Sequence, residues 1–439
     1  MHQNLNKDFE LSFKYWKKIK NLKKKEIKGY FENFIKRYLK LNKRYLFNKE
    51  ISGTYINNQI DAIYGNKKKN MKFLPVGIKD NINTKFLSTN YGLKIKKNFM
   101  VGNNANVVDK LIDNGSIIFS KTHCAEYAVH HINKKFNINP YNKKHIAGTS
   151  SSGSAIAVAC GALPVTLGTQ TAGSIIRPSS FCGVFGFKPT FGSIDRTGIL
   201  KNNDLFDTVG ILASEIEFIQ LVFKNVLNDS KNFPWIEKYN LEYKKFKSKK
   251  KFKIGYFDQS LDIYKNINFD VKNFYEKKLN KFKKEFLLKS INGKLFNKFH
   301  NYHDTLYNKS LSYYFKNYTQ NKKTFSRTLR KMINKGEKTN FKEYKLALKK
   351  LEILKKNIRL ETSKFDFIVV PSTFSRAPKI KKTEIKDTCL IWTTMGYPCI
   401  NIPFKDNKNN LPFGLLVVSN EFTDFNLLKF CIKKRIIKF

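Results

Sequence analysis

Residues 148–174 read GTSSSGSAIAVACGALPVTLGTQTAGS and carry the strongest structural signal in the chain. Four serines crowd positions 150–154, and Ser174 closes a second turn rich in Gly and Thr. Small residues allow a close backbone approach, and a Gly-rich turn before a helix leaves N–H groups facing one point. Such a nest can bind a phosphate or an oxyanion. On this pattern alone, a plain Gly/Ser loop and an anion or oxyanion site are equally good interpretations.

Two common motifs are absent from this stretch. It contains no GxxxxGK[ST] sequence, which excludes a P-loop for phosphates. It also contains no GxSxG sequence, which excludes the nucleophile elbow of the α/β-hydrolases. The serines therefore belong to neither of these two classes of site.

The flanking sequence predicts alternating strands and helices. Strands are expected at 73–79 and 116–120, with a helix over 105–114 between them, and a helix over 155–162 precedes a strand at 164–168. This alternation predicts an α/β core. Residues 215–360 read as mostly helical. Further strands are expected late in the chain, where they would complete the early sheet, at 367–370, 399–403 and 415–418, before a last helix from Asp424.

The chain of 439 residues carries a formal net charge of +49, which invites a nucleic-acid or other polyanion interpretation. However, only nine of the 83 basic residues are arginines, the residue that makes bidentate phosphate and guanine contacts. Residues 146–200 have a net charge of only +2, whereas residues 241–350 have +21. We interpret the excess charge as the accumulation of lysine at solvated surface positions, as the codons of an AT-rich genome favour. A non-catalytic polyanion-binding protein is the alternative.

Other features favour an ordinary cytoplasmic protein. No apolar run reaches the roughly 18 to 20 residues of a membrane span. Residues 8–46 predict basic amphipathic helices that pack on the body rather than on a membrane surface. The six cysteines form no CxxC pair and no zinc spacing, so we expect buried free thiols and a reducing compartment.

An ordered set of segments resembles the amidase signature family of Ser–Ser–Lys amide hydrolases. The resemblance is strong over about residues 70–215 and weaker over 365–430. The segments that carry it are PVGIKD at 75–80, KT at 121–122 with Glu126, NP at 139–140, GTSSSGS at 148–154, GTQTAGS at 168–174, FCG at 181–183, GFKPT at 186–190, AP at 377–378, GYP at 396–398 and LPFG at 411–414.

This resemblance implies a fold and a set of catalytic residues. The fold would be a mixed central sheet covered by helices on both faces, with a helical, lysine-rich middle region. Ser174 would be the nucleophile, Ser150 the bridging serine after a cis Thr149–Ser150 bond, and Lys79 the base. Backbone N–H groups of residues 171–174 (Thr171, Ala172, Gly173 and Ser174) would form the oxyanion hole.

The family pattern also assigns supporting roles and shows departures. Ser151 and Gln170 would support the site, while no metal and no cofactor is implied. Ala172 and Thr149 stand where many members have glycine, and Gln170 replaces a commoner aspartate. None of these three departures falls on Lys79, Ser150 or Ser174.

A lysine base has a physical basis in this sequence. An exposed lysine is charged near neutral pH, whereas burial disfavours the ammonium form and lowers the pKa. The residues around Lys79 are apolar, which suits a buried lysine. The expected function is hydrolysis of a small carboxamide through an acyl-enzyme on Ser174.

The substrate and partners are less constrained. GTQTAGSxIRP resembles malonamidase-type members, in which Arg177 would hold a substrate carboxylate; a structural role for Arg177 is the alternative. A second candidate function is the glutaminase (A) subunit of a glutamyl-tRNA(Gln) or aspartyl-tRNA(Asn) amidotransferase. We expect a small-molecule amide as partner and a possible homodimer, without membrane or specific nucleic-acid binding. One domain is predicted over 1–439, divided into 1–65, 66–215, 216–360 and 361–439.

Overall fold

A computed structural model describes eight parts of the chain, which together hold eleven strands and thirteen α-helices. The described residues are 11–66, 69–93, 100–129, 137–228, 251–316, 325–382, 384–405 and 411–433.

All eleven strands belong to one mixed sheet, in the order β1-β3-β2-β4-β6-β5-β10-β11-β9-β7-β8. Parallel triples lie toward both edges, β3-β2-β4 and β9-β7-β8, and antiparallel strands join them. The strands are β1 (Asn48–Glu50), β2 (Pro75–Lys79), β3 (Ile117–Thr122), β4 (Val165–Gln170), β5 (Phe185–Lys188), β6 (Thr208–Ala213), β7 (Lys253–Phe257), β8 (Leu287–Ile291), β9 (Phe367–Pro371), β10 (Cys399–Phe404) and β11 (Phe413–Val418).

Helices cover both faces of the sheet. Successive side chains of a strand point to opposite faces, and those of β11 alternate between two apolar clusters, one on each side. The helices are α1 (Phe13–Ile19), α2 (Lys24–Tyr45), α3 (Gly53–Tyr64), α4 (Asn106–Asp113), α5 (Ser152–Ala159), α6 (Ile176–Cys182), α7 (Ile216–Val226), α8 (Phe269–Glu285), α9 (Phe299–Tyr314), α10 (Arg327–Lys338), α11 (Phe341–Thr362), α12 (Cys389–Met395) and α13 (Asp424–Lys433).

The predicted strands and helices around the Gly/Ser stretch are confirmed within a few residues. The expected mixed α/β fold is confirmed as well. Five strands, β1 and β5 to β8, were not predicted, and β7 and β8 lie inside the region read as mostly helical. These two strands are short and partly exposed, so pairing of β7 with β9 and of β8 with β7, rather than a local apolar pattern, defines them.

The N-terminal helices pack on the body of the protein. Residues of α1 and α2, among them Trp16, Phe31 and Tyr38, are buried in the two apolar clusters. Within the described residues, no helix is both long and apolar enough to cross a membrane. All six cysteines are buried and unbridged.

Candidate active site

Lys79 is the last residue of β2 and is completely buried. Its Nζ atom donates to Ser150 Oγ at 2.9 Å, to Thr169 Oγ1 at 2.7 Å and to the Thr169 carbonyl oxygen at 3.2 Å. Because β2 and β4 are parallel neighbours, Lys79 and Thr169 emerge at the same end of the sheet. The predicted base and the predicted bridging serine are therefore in direct contact.

Burial determines the charge state of this lysine. It lowers the pKa of Lys79 to about 8, although Asp207 nearby acts in the opposite direction. Burial also raises the pKa of the Cys124 thiol to about 12, so this neighbour stays neutral. About a tenth of Lys79 is thus an uncharged amine at pH 7, compared with far less than a hundredth for an exposed lysine.

The Ser150 loop lies against the turn that carries Ser174. The Thr149–Ser150 peptide bond is cis, and Ser150 is buried. Ser151 donates its N–H to the Ser174 carbonyl oxygen at 3.2 Å and its hydroxyl to the Thr169 carbonyl oxygen at 3.2 Å. Ser151 therefore holds the two loops together.

The turn at residues 171–174 has a distinctive hydrogen-bond pattern. All four of its carbonyl oxygens accept a bond, in chain order from His303 Nε2 at 2.9 Å, Thr393 Oγ1 at 2.6 Å, the Arg177 N–H at 2.9 Å and the Ser151 N–H at 3.2 Å. Among the residues that the structure describes, none accepts a bond from the four N–H groups of this turn. The carbonyls are thus fixed, while the N–H groups stay available to an anionic oxygen.

Gln170 ties this turn to the helix behind it. Its Oε1 atom accepts the N–H groups of Ile175 at 2.7 Å and Ile176 at 3.0 Å, at the start of α6. Its Nε2 atom donates to Thr393 Oγ1 at 2.8 Å. The ionised aspartate that is commoner at this position has no N–H group to donate. The amide donor that Gln170 brings in its place is used by Thr393.

Ser174 itself is partly exposed at the end of the turn. Its hydroxyl makes no hydrogen bond to any residue in the described ranges. The structure thus joins Lys79 to Ser150, and the Ser150 loop to the Ser174 backbone, but it does not form a Ser150–Ser174 hydroxyl bond. In ligand-free enzymes such bonds are often long and tighten with substrate.

Arg177, the predicted substrate-binding residue, is buried and held by two acids. Its Nε and Nη2 atoms donate to Asp387 at 2.9 and 3.3 Å, and its Nη1 atom donates to Glu384 at 3.0 Å. Burial acts to lower the pKa of Arg177, but the two carboxylates outweigh it and raise the pKa above the usual range. The guanidinium is therefore permanently charged.

Several residues of the site come from parts of the chain with no local signal. Asp207 accepts the Thr171 hydroxyl at 2.6 Å, and His303 of α9 stacks on Phe206 at 4.7 Å between ring centroids. A carbonyl only accepts hydrogen bonds, so the His303 proton is on Nε2. Asp207, His303 and Thr169 were not predicted as site residues. Of these three, only Thr169 had a sequence signal, because it lies inside the GTQTAGS segment.

The described part of the chain holds no group of three or more His, Cys, Asp or Glu side chains that could bind a metal ion.

Known proteins share this fold and part of this sequence. The chain is 38% identical over 163 residues to the A subunit of glutamyl-tRNA(Gln) amidotransferase from Exiguobacterium sibiricum, and the match spans 36% of this chain and 34% of that protein. The peptide amidase of Stenotrophomonas maltophilia superposes with a TM-score of 0.75 at 20% identity, over 92% of this chain and 93% of its own. The A subunit of the glutamyl-tRNA(Gln) amidotransferase from Thermotoga maritima superposes with a TM-score of 0.73 at 21% identity, over 94% and 93%.

The match to the curated relative thus covers about a third of each chain, whereas the structural matches cover nearly all of it and show a shared fold. The profile of the family described as Amidase matches residues 31–428, which include every strand and all the site residues named above. The chain belongs to the amidase family.

Proposed function

We propose that this protein hydrolyses the C–N bond of a small carboxamide through an acyl-enzyme on Ser174. The observation that carries the proposal is the contact of buried Lys79 with Ser150, beside a turn whose carbonyls are all bound and whose N–H groups are available. A serine hydroxyl needs a base to act as a nucleophile, and a carbonyl under attack needs donors for its developing charge. Lys79, acting through Ser150, is the candidate base, and the N–H groups of residues 171–174 are the candidate donors.

The proposed reaction begins with a proton transfer. The Ser174 hydroxyl turns to Ser150, and neutral Lys79 draws the proton of Ser174 through the Ser150 hydroxyl. The Ser174 oxygen then forms a bond to the amide carbon, and the N–H groups of 171–174 bind the resulting oxyanion. The proton returns through Ser150 to the leaving nitrogen, the C–N bond breaks, and ammonia or an amine departs.

Water completes the cycle by the same route. It gives a proton through Ser150 to Lys79, and its oxygen forms a bond to the carbonyl carbon of the Ser174 ester. The bond between that carbon and the Ser174 oxygen then breaks, the proton returns from Lys79 through Ser150 to Ser174, and the carboxylic acid product leaves and ionises. Thr169 supports these transfers because its carbonyl and hydroxyl oxygens hold Nζ in place. The lysine thereby keeps one lone pair or one proton aimed at Ser150.

A second candidate function is the glutaminase component of an amidotransferase, which releases ammonia from glutamine. The relative from Exiguobacterium sibiricum, whose name is that of such a component, favours it. Under this alternative the chain would work with partner proteins, and the same serines and lysine would act on glutamine. Glutaminase activity that rises strongly when the partner proteins and tRNA are added would support it over a stand-alone amidase.

Ammonia release from a panel of purified small amides tests the proposal. We expect turnover of at least one amide by the wild-type chain, and a loss of about a hundredfold to ten-thousandfold in Ser174→Ala and Ser150→Ala. Ser151→Ala is the comparison variant: it keeps the backbone N–H bond to Ser174 and loses only the hydroxyl bond to Thr169, so it should lower the rate less than Ser150→Ala. No turnover of any amide, or equal rates for Ser174→Ala and wild type, would contradict the proposal.

A further inference from the structure

Two acids of the segment before α12 surround the Arg177 guanidinium. The side chains of Glu384 and Asp387 are each only 1% exposed, and that of Arg177 is 10% exposed. One guanidinium thus faces two carboxylates, so the cluster carries a net charge of −1 when all three groups are ionised.

The two acids hold the arginine differently. Asp387 forms a bidentate pair along the Nε–Nη2 edge and also accepts the Cys389 N–H at 3.0 Å. Glu384 accepts a hydrogen bond from Nη1 through Oε2, and its Oε1 accepts the Thr149 N–H at 3.0 Å. Asp387 is therefore built into the start of α12, whereas Glu384 joins the guanidinium to the residue before Ser150.

This cluster lies directly beside the turn that carries Ser174. A side chain at Gly173 would come within 2.7 Å of Arg177 Nη2, so the guanidinium packs against the turn. Glu384 lies between that guanidinium and Thr149. Its carboxylate thus occupies the Nη1 side of Arg177, next to the residue before Ser150.

We propose that Glu384 is a specificity-determining residue that competes with a substrate carboxylate for Arg177. This inference rests on the proposed amidase function and narrows its substrate class. An acidic amide must displace Glu384 and enter a negatively charged cluster, which opposes its binding. A neutral amide meets neither obstacle, so the wild-type site selects amides without a carboxylate.

Succinamate and butyramide test this selectivity, because they have similar lengths and differ in one terminal charge. In Glu384→Gln the competing charge is gone, and the glutamine oxygen can still accept the Thr149 N–H. We expect KM for succinamate to fall roughly tenfold, as for one charged hydrogen bond gained, while KM for butyramide changes less than about twofold. Equal changes for both amides would overturn the proposal.

Glu421→Gln is the matched control for net charge. Glu421 also pairs with an arginine, Arg359, at 3.1 Å, but on the exposed surface. Its removal changes the total charge by the same amount, so it should leave the succinamate-to-butyramide preference unchanged. The same shift in both variants would count against a local role for Glu384.

Calorimetric titration with succinate gives a readout that does not depend on turnover. We expect Glu384→Gln to bind succinate about tenfold more tightly than wild type at 0.15 M salt, and Arg177→Gln in that background to remove the gain. Glu384→Asp, which withdraws the carboxylate by one methylene, should show a smaller gain and covers the case of a poorly folded glutamine variant. If no amide is turned over but Glu384→Gln binds succinate more tightly than wild type, the proposed function fails and the competition between Glu384 and the ligand for Arg177 stands. If neither Glu384→Gln nor Glu384→Asp binds succinate more tightly than wild type, the competition is overturned.

Discussion

Lys79 and Lys121 show how two similar residues come to differ in chemistry. Both are completely buried on neighbouring strands, and burial lowers the pKa of each to about 8. Lys79 contacts Ser150, whereas Lys121 donates to Thr89 Oγ1 at 3.0 Å and to a backbone carbonyl. The partner of the amine, and not its burial, separates a candidate base from a structural lysine.

The rate of amide hydrolysis should rise with pH through about 8. Below the pKa of Lys79 the amine is protonated and has no lone pair to accept the proton of Ser174, so kcat/KM should increase roughly tenfold per pH unit there and level off above. The pH dependence of kcat/KM on a neutral amide checks this. A profile that is flat from about pH 6 to 9, or that falls, would contradict a lysine base.

Replacement of each lysine by methionine should separate the two roles. Lys79→Met should lower kcat by about a hundredfold or more, because Ser150 loses its proton acceptor. Lys121→Met should keep the rise with pH but lower the melting temperature, because the buried Asp80 loses the cation that acts on it most strongly and keeps only the weaker effect of Lys49. Rates, pH profiles and thermal unfolding of both variants measure this. An unchanged kcat in Lys79→Met would exclude it as the base.

At the scale of elements, the sequence around residues 148–174 was sufficient to predict β4, α5 and the turn before α6. The local pattern specified them because apolar runs, small residues and turn residues agree there. It could not specify β8, which has exposed residues and exists through pairing with β7. For the same reason Glu384, Asp387 and His303 were not predicted: they reach the site only through long-range packing of α9 and the segment before α12.

Gln170 should control the shape of the turn. In Gln170→Leu the N–H groups of Ile175 and Ile176 lose their acceptor and Thr393 loses a donor, with each unsatisfied buried group worth about 1–3 kcal/mol. We expect kcat to fall at least about tenfold with little change in KM, because the oxyanion donors shift. Gln170→Glu keeps the acceptor and should be less affected. Steady-state kinetics and thermal unfolding of the two Gln170 variants check this prediction. A kcat of Gln170→Leu equal to that of wild type would refute the positioning role.

At the scale of the whole molecule, the lysine-rich middle region takes part in the site. It contributes β7 and β8 to the sheet, and α9 brings His303 to the Thr171 carbonyl. Burial lowers the pKa of His303 to about 4, so its ring is neutral from about pH 6 to 9. Its titration therefore does not cause the expected rise of kcat/KM near pH 8. His303 is therefore uncharged although the chain carries a formal net charge of +49.

His303→Leu should lower kcat about tenfold, because the Thr171 carbonyl loses its donor and the turn loosens. His303→Gln, which can place an N–H near the same carbonyl, should recover part of the loss. Kinetics of the two variants on one neutral amide check this. Equal loss in both variants, with lower melting temperatures, would indicate packing rather than a positioning hydrogen bond.

The order of strands in the sheet has a consequence for synthesis of the chain. Strand β5 pairs with β10, which the ribosome makes roughly two hundred residues later, at about 5–20 residues per second. Until then, one side of β5 is an open hydrogen-bonding edge. The proposed catalytic residues, from Lys79 to Ser174, are therefore made well before β10, and the sheet that holds them closes only after β10 has been made.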